Sequence, residues 1–207
     1  MNNIELKTFM INHNVNIHGV IHVGAHFGQE DEVYKELGIL NRLYFEPLSS
    51  NFETLKEKID DDAILVKLAL GNEKRKVSMF VESFNKGMSS SILEPKLHSV
   101  QFPHIVFDSV EEVEMDRLDD LNYDFSKYNM MNIDVQGFEL EVLKGSVNTL
   151  SNIDYVIVEI NRAELYKDCP HFNEINNLMT HHGFTCVEQF WWGNNFGEGF
   201  FKKNIWI

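Results

Sequence analysis

The stretch Val20-Ile21-His22-Val23-Gly24-Ala25-His26-Phe27-Gly28 constrains this chain more than any other. A short apolar run stops at a glycine, a second glycine stands at Gly28, and a helical pattern begins just beyond. That order predicts a buried strand, a tight turn and a helix. In open α/β sheets such a junction lies at the carboxyl end of a strand, where nucleotide-like cofactors bind.

The rest of the chain builds a sheet around that junction. Strands are predicted at 19–23, 42–47 (stopped by Pro47), 64–70, 77–81, 110–115, 130–135 and 155–160. Between them, residues 1–16 predict a leading helix carrying Ile4, Leu6, Phe9 and Met10. Residues 29–37 predict a second, ended by Gly38. A third follows Ser49 as its N-cap, with Phe52, Leu55 and Ile59 inward. Further helices are expected around Leu140 and Leu143, ended by Lys144-Gly145, and over 172–182, closed by Gly183.

Alternating strands and helices predict a parallel sheet covered on both faces. The last two strands, 184–190 and 199–207, have only a Gly/Asn-rich turn between them, so they must pair as an antiparallel hairpin at one edge. Residues 83–109 carry the weakest pattern and are expected to form an irregular segment serving the active site. No linker or internal repeat is visible, so residues 1–207 read as one domain.

Composition narrows the partners. A formal net charge of −14 disfavours nucleic acid, whose binding is dominated by phosphate neutralisation, and anionic membrane surfaces alike. A small-molecule or glycan acceptor fits better. No apolar run approaches the roughly 18 residues that span a bilayer, and the first residues lack a signal-peptide pattern, so a cytoplasmic protein is expected. The two cysteines, Cys169 and Cys186, are too few for a disulfide framework.

Ala25-His26 stand where a dinucleotide fingerprint has its second glycine, the one that lets backbone approach a pyrophosphate. The following helix opens with Glu30-Asp31-Glu32, acids that would repel a phosphate placed there. A cofactor without phosphate and with a cationic sulfonium, S-adenosylmethionine, suits the site better than NAD. Glu46 ends the second strand at the distance where an acid accepts ribose hydroxyls, and Ala69-Leu70 would lie near an adenine. A solvent-exposed strand-end acid is the bland alternative for Glu46.

Asp134 is the leading catalytic candidate: an apolar strand runs into it, and Gly137 turns the chain straight afterwards. It could hold the methionine ammonium or take a hydroxyl proton. Glu159 occupies the matching place on the next strand and, with His22 and His26, stands behind Asp134 as a candidate base. His18, His22 and His26 recur every four residues, but on a strand and turn they form no metal-binding stripe. His18 is expected at the surface, His22 in the core or serving as a base, and His26 against ligand. No ligand-spaced set indicates a metal. Ser90, within Gly87-Met88-Ser89-Ser90-Ser91, is expected to close over cofactor; alternatively Ser90 or Ser91 caps a helix from Ile92. Trp191-Trp192 offer either a sugar platform or edge packing.

Several of these segments together resemble the FkbM family of methyltransferases. They are Val20 to Gly28, Tyr44-Phe45-Glu46-Pro47, Ser89-Ser90-Ser91, Arg117-Leu118-Asp119, and above all the run from Asn132-Ile133-Asp134-Val135-Gln136-Gly137 to Lys144-Gly145. The resemblance, over roughly residues 18–190, implies a Rossmann-like class I methyltransferase fold with a mostly parallel seven-stranded sheet. It implies S-adenosylmethionine as cofactor and O-methylation, often of sugars. By position it implies that Gly24, Ala25, His26 and Gly28 cradle the methionine part, Glu46 binds ribose, and Asp134 sits beside the transferred methyl. The family often has Asn in place of His26 and Glu in place of Gln136. Two rivals stay open: a non-catalytic methyltransferase-like binding module, and a nicotinamide-dependent oxidoreductase.

Overall fold

The computed structural model describes residues 3–204. Its strands, in chain order, are β1 (Gly19–Val23), β2 (Asn41–Phe45), β3 (Ile64–Val66), β4 (Ala69–Leu70), β5 (Arg75–Glu82), β6 (Phe107–Asp116), β7 (Met130–Ile133), β8 (Tyr155–Asn161), β9 (Phe184–Trp192) and β10 (Phe196–Lys203). The helices are α1 (Asn3–Asn12), α2 (Asp31–Glu36), α3 (Ser49–Lys58), α4 (Leu97–Gln101), α5 (Glu139–Lys144) and α6 (Phe172–His181). The leading helix thus stops at Asn12, short of residue 16. The side chains of Ile4 and Phe9, and residues 205–207 of the expected last strand, lie outside the described residues.

Seven strands form the main sheet in the order β3-β2-β1-β7-β8-β10-β9. Pairs from β3 to β8 are parallel, and β10 runs antiparallel to both β8 and β9. All five residues of β1 are buried. Their alternation feeds two cores. Ile21 and Val23 join Leu43, Phe45, Ile133 and Val158 on one face, and Val20 joins Tyr34, Tyr44, Leu55 and Ile157 on the other. This is why an apolar run rather than an apolar/polar alternation encodes the strand.

The strand order reverses beside β1, where the chain leaves β2 and β3 on one side and resumes with β7 on the other. Open α/β sheets bind ligands outside the strand ends at such a switch point. The register puts the key residues there. Val23 stands opposite Phe45 and Ile133, and Ile133 opposite Val158, so Gly24, Glu46, Asp134 and Glu159 follow at one edge.

A second sheet, β4-β6-β5, overturns one expectation. Residues 64–70 are not one strand: Ile64–Val66 pair with β2, whereas Ala69–Leu70 pair with Met115 and Asp116 of β6. The chain changes sheets across Lys67-Leu68, and a continuous apolar run carries no mark of a change in pairing partner. The small sheet packs Ala69, Val77, Met79, Val113 and Met115 against Leu48 and Phe138.

Two local readings are also corrected. Leu48 rather than Ser49 is the N-cap of α3, and Ser49 instead hydrogen-bonds Glu111 through its backbone N–H and hydroxyl. No helix begins at Ile92; the Ser91 hydroxyl donates to the Gln136 carbonyl at 2.7 Å and accepts from the Leu93 N–H at 2.9 Å. Gly145 follows α5 with an ordinary helical φ of −80°, but a Cβ there would lie 1.8 Å from the Gly71 carbonyl oxygen. Gly145 does end the helix as expected, and close approach is what requires a glycine there. Residues 83–109 are less irregular than expected, holding α4 and the start of β6. Among the described residues no helix is long and apolar enough to cross a membrane.

Candidate active site

The glycine turn brings two strand ends together. The N–H groups of Gly24 and Ala25 both donate to the Phe45 carbonyl at 3.0 Å, and the Asp134 N–H donates to the Val23 carbonyl at 3.0 Å. Gly24 has φ +80°, and a Cβ on it would fall 1.9 Å from the Asp134 carbonyl oxygen. A side chain there would force the ends of β1 and β7 apart. Gly28, at φ +69°, serves packing instead: its missing Cβ makes room for the Leu55 and Ile59 side chains. His26 is held by its ring, one nitrogen 2.8 Å from the Lys86 carbonyl and the other 2.7 Å from the Gln29 amide.

Of the three acids opening α2, only Glu30 reaches the cleft region. Asp31 turns inward to Arg42 Nε at 3.0 Å and accepts from the Tyr44 hydroxyl at 2.7 Å, while Glu32 is exposed. Burial pushes the Glu30 carboxyl up.

Glu46, just past β2, is 4% exposed. One carboxyl oxygen accepts from the His26 N–H and the other from the Leu48 N–H, both at 2.9 Å. Burial outweighs these hydrogen bonds and pushes its pKa up to about 7. Glu46 lines a cleft of about 550 Å³ together with the apolar Leu48, Leu68, Ala69, Leu70, Met79 and Ile92. Gly24, His26, Asn51, Asp134 and Gln136 also line it, and Gly87, Met88 and Ser90 reach it from the segment after β5.

Asp134 opens a tight turn in which Gln136 and Gly137 take φ +56° and +99°. The buried Glu139 carboxylate ties this turn by accepting from the N–H groups of Gly137 at 2.9 Å and Val135 at 3.2 Å. The Gln136 amide then bridges two acids, donating to Asp134 at 2.7 Å and Glu159 at 2.8 Å, with the Tyr166 hydroxyl 2.9 Å from its carbonyl oxygen. Burial, and then the Asp134 charge beside it, holds the Glu159 carboxyl well above the usual range. A Glu in place of Gln136 would set a third acid between these two. The Gln lets them share one neutral donor instead.

His22 is buried, 3.3 Å from the Tyr34 hydroxyl and 3.5 Å from the Asn132 amide, and burial pushes its pKa down to about 4. It lines a smaller cleft of about 400 Å³ with Gly24, Ala25, His26, Gln29, Glu30, Met88 and Asp134. Gly24, His26, Met88 and Asp134 line both clefts, which therefore adjoin. Neither lining contains Lys or Arg. Among the described residues no group of three or more His, Cys, Asp or Glu side chains could hold a metal.

Of the residues singled out by sequence, His22, Gly24, Ala25, His26, Glu46, Ala69, Leu70, Ser90 and Asp134 line these two clefts. Gly28 and Glu159 do not; the first lies beneath the turn and the second behind Gln136. Sequence reasoning did not single out Asn51, Met79, Glu139 and Tyr166 for the site. Tyr166 comes from a loop after β8, and nothing near it in the chain signals its contact with Gln136.

Sheet order, switch-point crevice and the paired strand-end residues Gly24 and Glu46 define a class I methyltransferase fold. The magnesium protoporphyrin IX methyltransferase of Synechocystis with bound SAM is similar in structure, with a TM-score of 0.54 at 7% identity over 98% of this chain and 78% of the other. The methyltransferase domain of bacterial CtHen1-C gives a TM-score of 0.55 at 13% identity over 99% of both. At these identities they show the fold alone.

The chain belongs to the methyltransferase FkbM domain family, whose profile matches residues 22–186. Two curated relatives agree. The 2-O-methyltransferase NoeI of Sinorhizobium fredii is 31% identical over 105 residues, 50% of this chain and 42% of the relative. The hexuronic acid methyltransferase AglP of Haloferax volcanii is 50% identical over 42 residues, 20% of this chain and 18% of the relative. The aligned part thus spans less than half the length of either relative.

Proposed function

We propose that this protein transfers a methyl group from S-adenosylmethionine to oxygen, on a sugar hydroxyl of a glycan or glycoconjugate. The carrying observation is the pair of adjoining clefts: apolar residues with Glu46 in one, Glu30 and Asp134 in the other, and no Lys or Arg in either lining. The cofactor's parts fit these residues. Leu48, Leu70, Met79 and Ile92 would cover adenine, and the Glu46 carboxylate has lone pairs left to accept from ribose hydroxyls. Glu30 and Asp134 would face the ammonium and sulfonium, whereas a pyrophosphate would meet acids with no cation to offset them. NoeI, a 2-O-methyltransferase, supports transfer to oxygen, and AglP, a hexuronic acid methyltransferase, supports a carbohydrate acceptor.

S-adenosylmethionine supplies an activated methyl group on a cationic sulfur. Gln136 orients Asp134, and Asp134 takes the proton from the acceptor hydroxyl. His22 stays neutral above about pH 4, so it adds no charge against the sulfonium. Most of the acceleration comes from holding oxygen, methyl and sulfur in line.

Calorimetry with S-adenosylhomocysteine and NADH side by side is the first test, and NADH binding alone would reverse the assignment. Asp134→Ala is then expected to abolish methyl transfer to a sugar panel while leaving a folded protein. Retained turnover would remove Asp134 from the mechanism. Cofactor binding with no transfer by the unaltered protein to any sugar would favour a binding module.

A further inference from the structure

The chain has four arginines. Arg42, Arg75 and Arg117 each pair with an Asp or Glu. Arg162 does not: among the described residues no side chain or carbonyl accepts from its guanidinium, although the chain carries 32 acids. Its guanidinium carbon lies 3.6 Å from the centroid of the Trp191 ring. Trp191 is fixed in turn, its Nε1–H donating to Gln189 at 3.2 Å and its edge meeting Phe172. The expected open sugar platform at Trp191 is therefore partly covered by an arginine. Stacking engages the face of a guanidinium and leaves its N–H edge for an acceptor.

Arg162 borders an open cleft of about 520 Å³, with Asn161, His171, Asn173, Gln189 and Trp191 among its lining. Asn161 is fully buried, and its Oδ1 has no hydrogen-bond partner. Its amide donates to Glu159 at 3.4 Å, and Glu159 meets Gln136, which meets Asp134. A continuous hydrogen-bonded chain thus joins this cleft to the cofactor cleft. The N-terminus of the ten-residue α6 opens onto the same cleft, adding positive potential, while Glu174 of its first turn is engaged by the His171 N–H at 2.9 Å.

We propose that the Arg162–Trp191 cleft is the acceptor subsite and selects a sugar bearing a carboxylate, a uronic acid. The carboxylate is held by the Arg162 guanidinium, whose fork matches its two oxygens, and a ring hydroxyl donates to Asn161 Oδ1. The carboxylate here is a handle for recognition, with a hydroxyl presented to Asp134. This inference rests on the methyl-transfer reading of the adjoining clefts.

The test is NMR of the ¹⁵N-labelled protein, with and without S-adenosylhomocysteine. It is titrated with the methyl glycosides of glucuronic and galacturonic acid and, as neutral counterparts, of glucose and galactose. Trp191→Phe assigns the Trp191 indole resonance. At least one uronoside is expected to move that resonance and to bind about tenfold or more tighter than its neutral counterpart, the discrimination of one charge-assisted pair. In Arg162→Gln that preference disappears while S-adenosylhomocysteine affinity is kept, and Arg162→Lys restores only part of it. Equal binding of charged and neutral glycosides, an indole resonance that does not move, or a preference that survives Arg162→Gln would overturn the proposal. Failure to bind S-adenosylhomocysteine would instead overturn the methyl-transfer reading, and the cofactor-free titration reads the Arg162 cleft in either case.

Discussion

The proposed contact between Glu46 and the cofactor ribose would make cofactor binding a proton-linked event. The ordinary Glu46 pKa of 4.5 is pushed up to about 7, chiefly by burial at 4% exposure. That difference corresponds to a penalty of about 3 kcal/mol on the charged form in the free protein. The stability Glu46 contributes is therefore fully present below about pH 4.5 and is lost as pH rises through about 7. Ribose hydroxyls donating to the carboxylate favour the charged form and draw the pKa back down. At pH 7 about half of the free protein carries the proton, so binding S-adenosylhomocysteine should release about half a proton. Across pH 6 to 8 the ionised fraction rises from about one-tenth to nine-tenths, so apparent affinity should rise about tenfold. Isothermal calorimetry in buffers of different ionisation enthalpy measures both quantities. Glu46→Gln keeps the shape, removes the titration, and should flatten this part of the profile. No proton release and a flat affinity in the unaltered protein, or a Glu46→Gln profile as steep as the original, would refute the reasoning.

Two further substitutions probe the frame around the site. Gly24→Ala must relieve a contact of 1.9 Å and adopt φ +80°, so cofactor affinity should fall about tenfold or more and Tm by at least about 4 °C; an unchanged Tm would show that the two strand ends can separate freely. Arg42→Met leaves the buried Asp31 with only Lys35 and the Tyr44 hydroxyl, which should cost about 3 kcal/mol, or about 6–12 °C in Tm by thermal denaturation. A drop of under about 2 °C would mean that Lys35 and the Tyr44 hydroxyl together satisfy Asp31.

Elements whose pattern is local in the chain were legible. The bounds of β1 match the expected 19–23, because five consecutive buried residues followed by glycine leave few alternatives. The C-terminal hairpin was legible for a similar reason: a short connection permits only antiparallel pairing. Where the outcome depended on distant partners, local pattern misled. The run 64–70 looked like one strand because both halves are apolar, yet one half found β2 and the other β6. Gly145 ends α5 as its place in the chain suggested, but the carbonyl that excludes its Cβ belongs to Gly71, far away in the chain, and left no local signal.

By itself the sequence determined an alternating α/β order, a glycine turn at a strand end, and acids placed to follow neighbouring strands, since apolar periodicity, glycine and proline act within a few residues. It determined the family as well, through the run from Ile133 to Gly145. Tertiary structure decided which of those acids line a cleft and which sit behind one. It raised Glu46 and Glu159 by burial, set Gln136 between two carboxylates, and left Arg162 stacked on Trp191 without an acid partner. Desolvation and pairing are properties of the space around a group. That space is enclosed by residues drawn from the whole length of the chain.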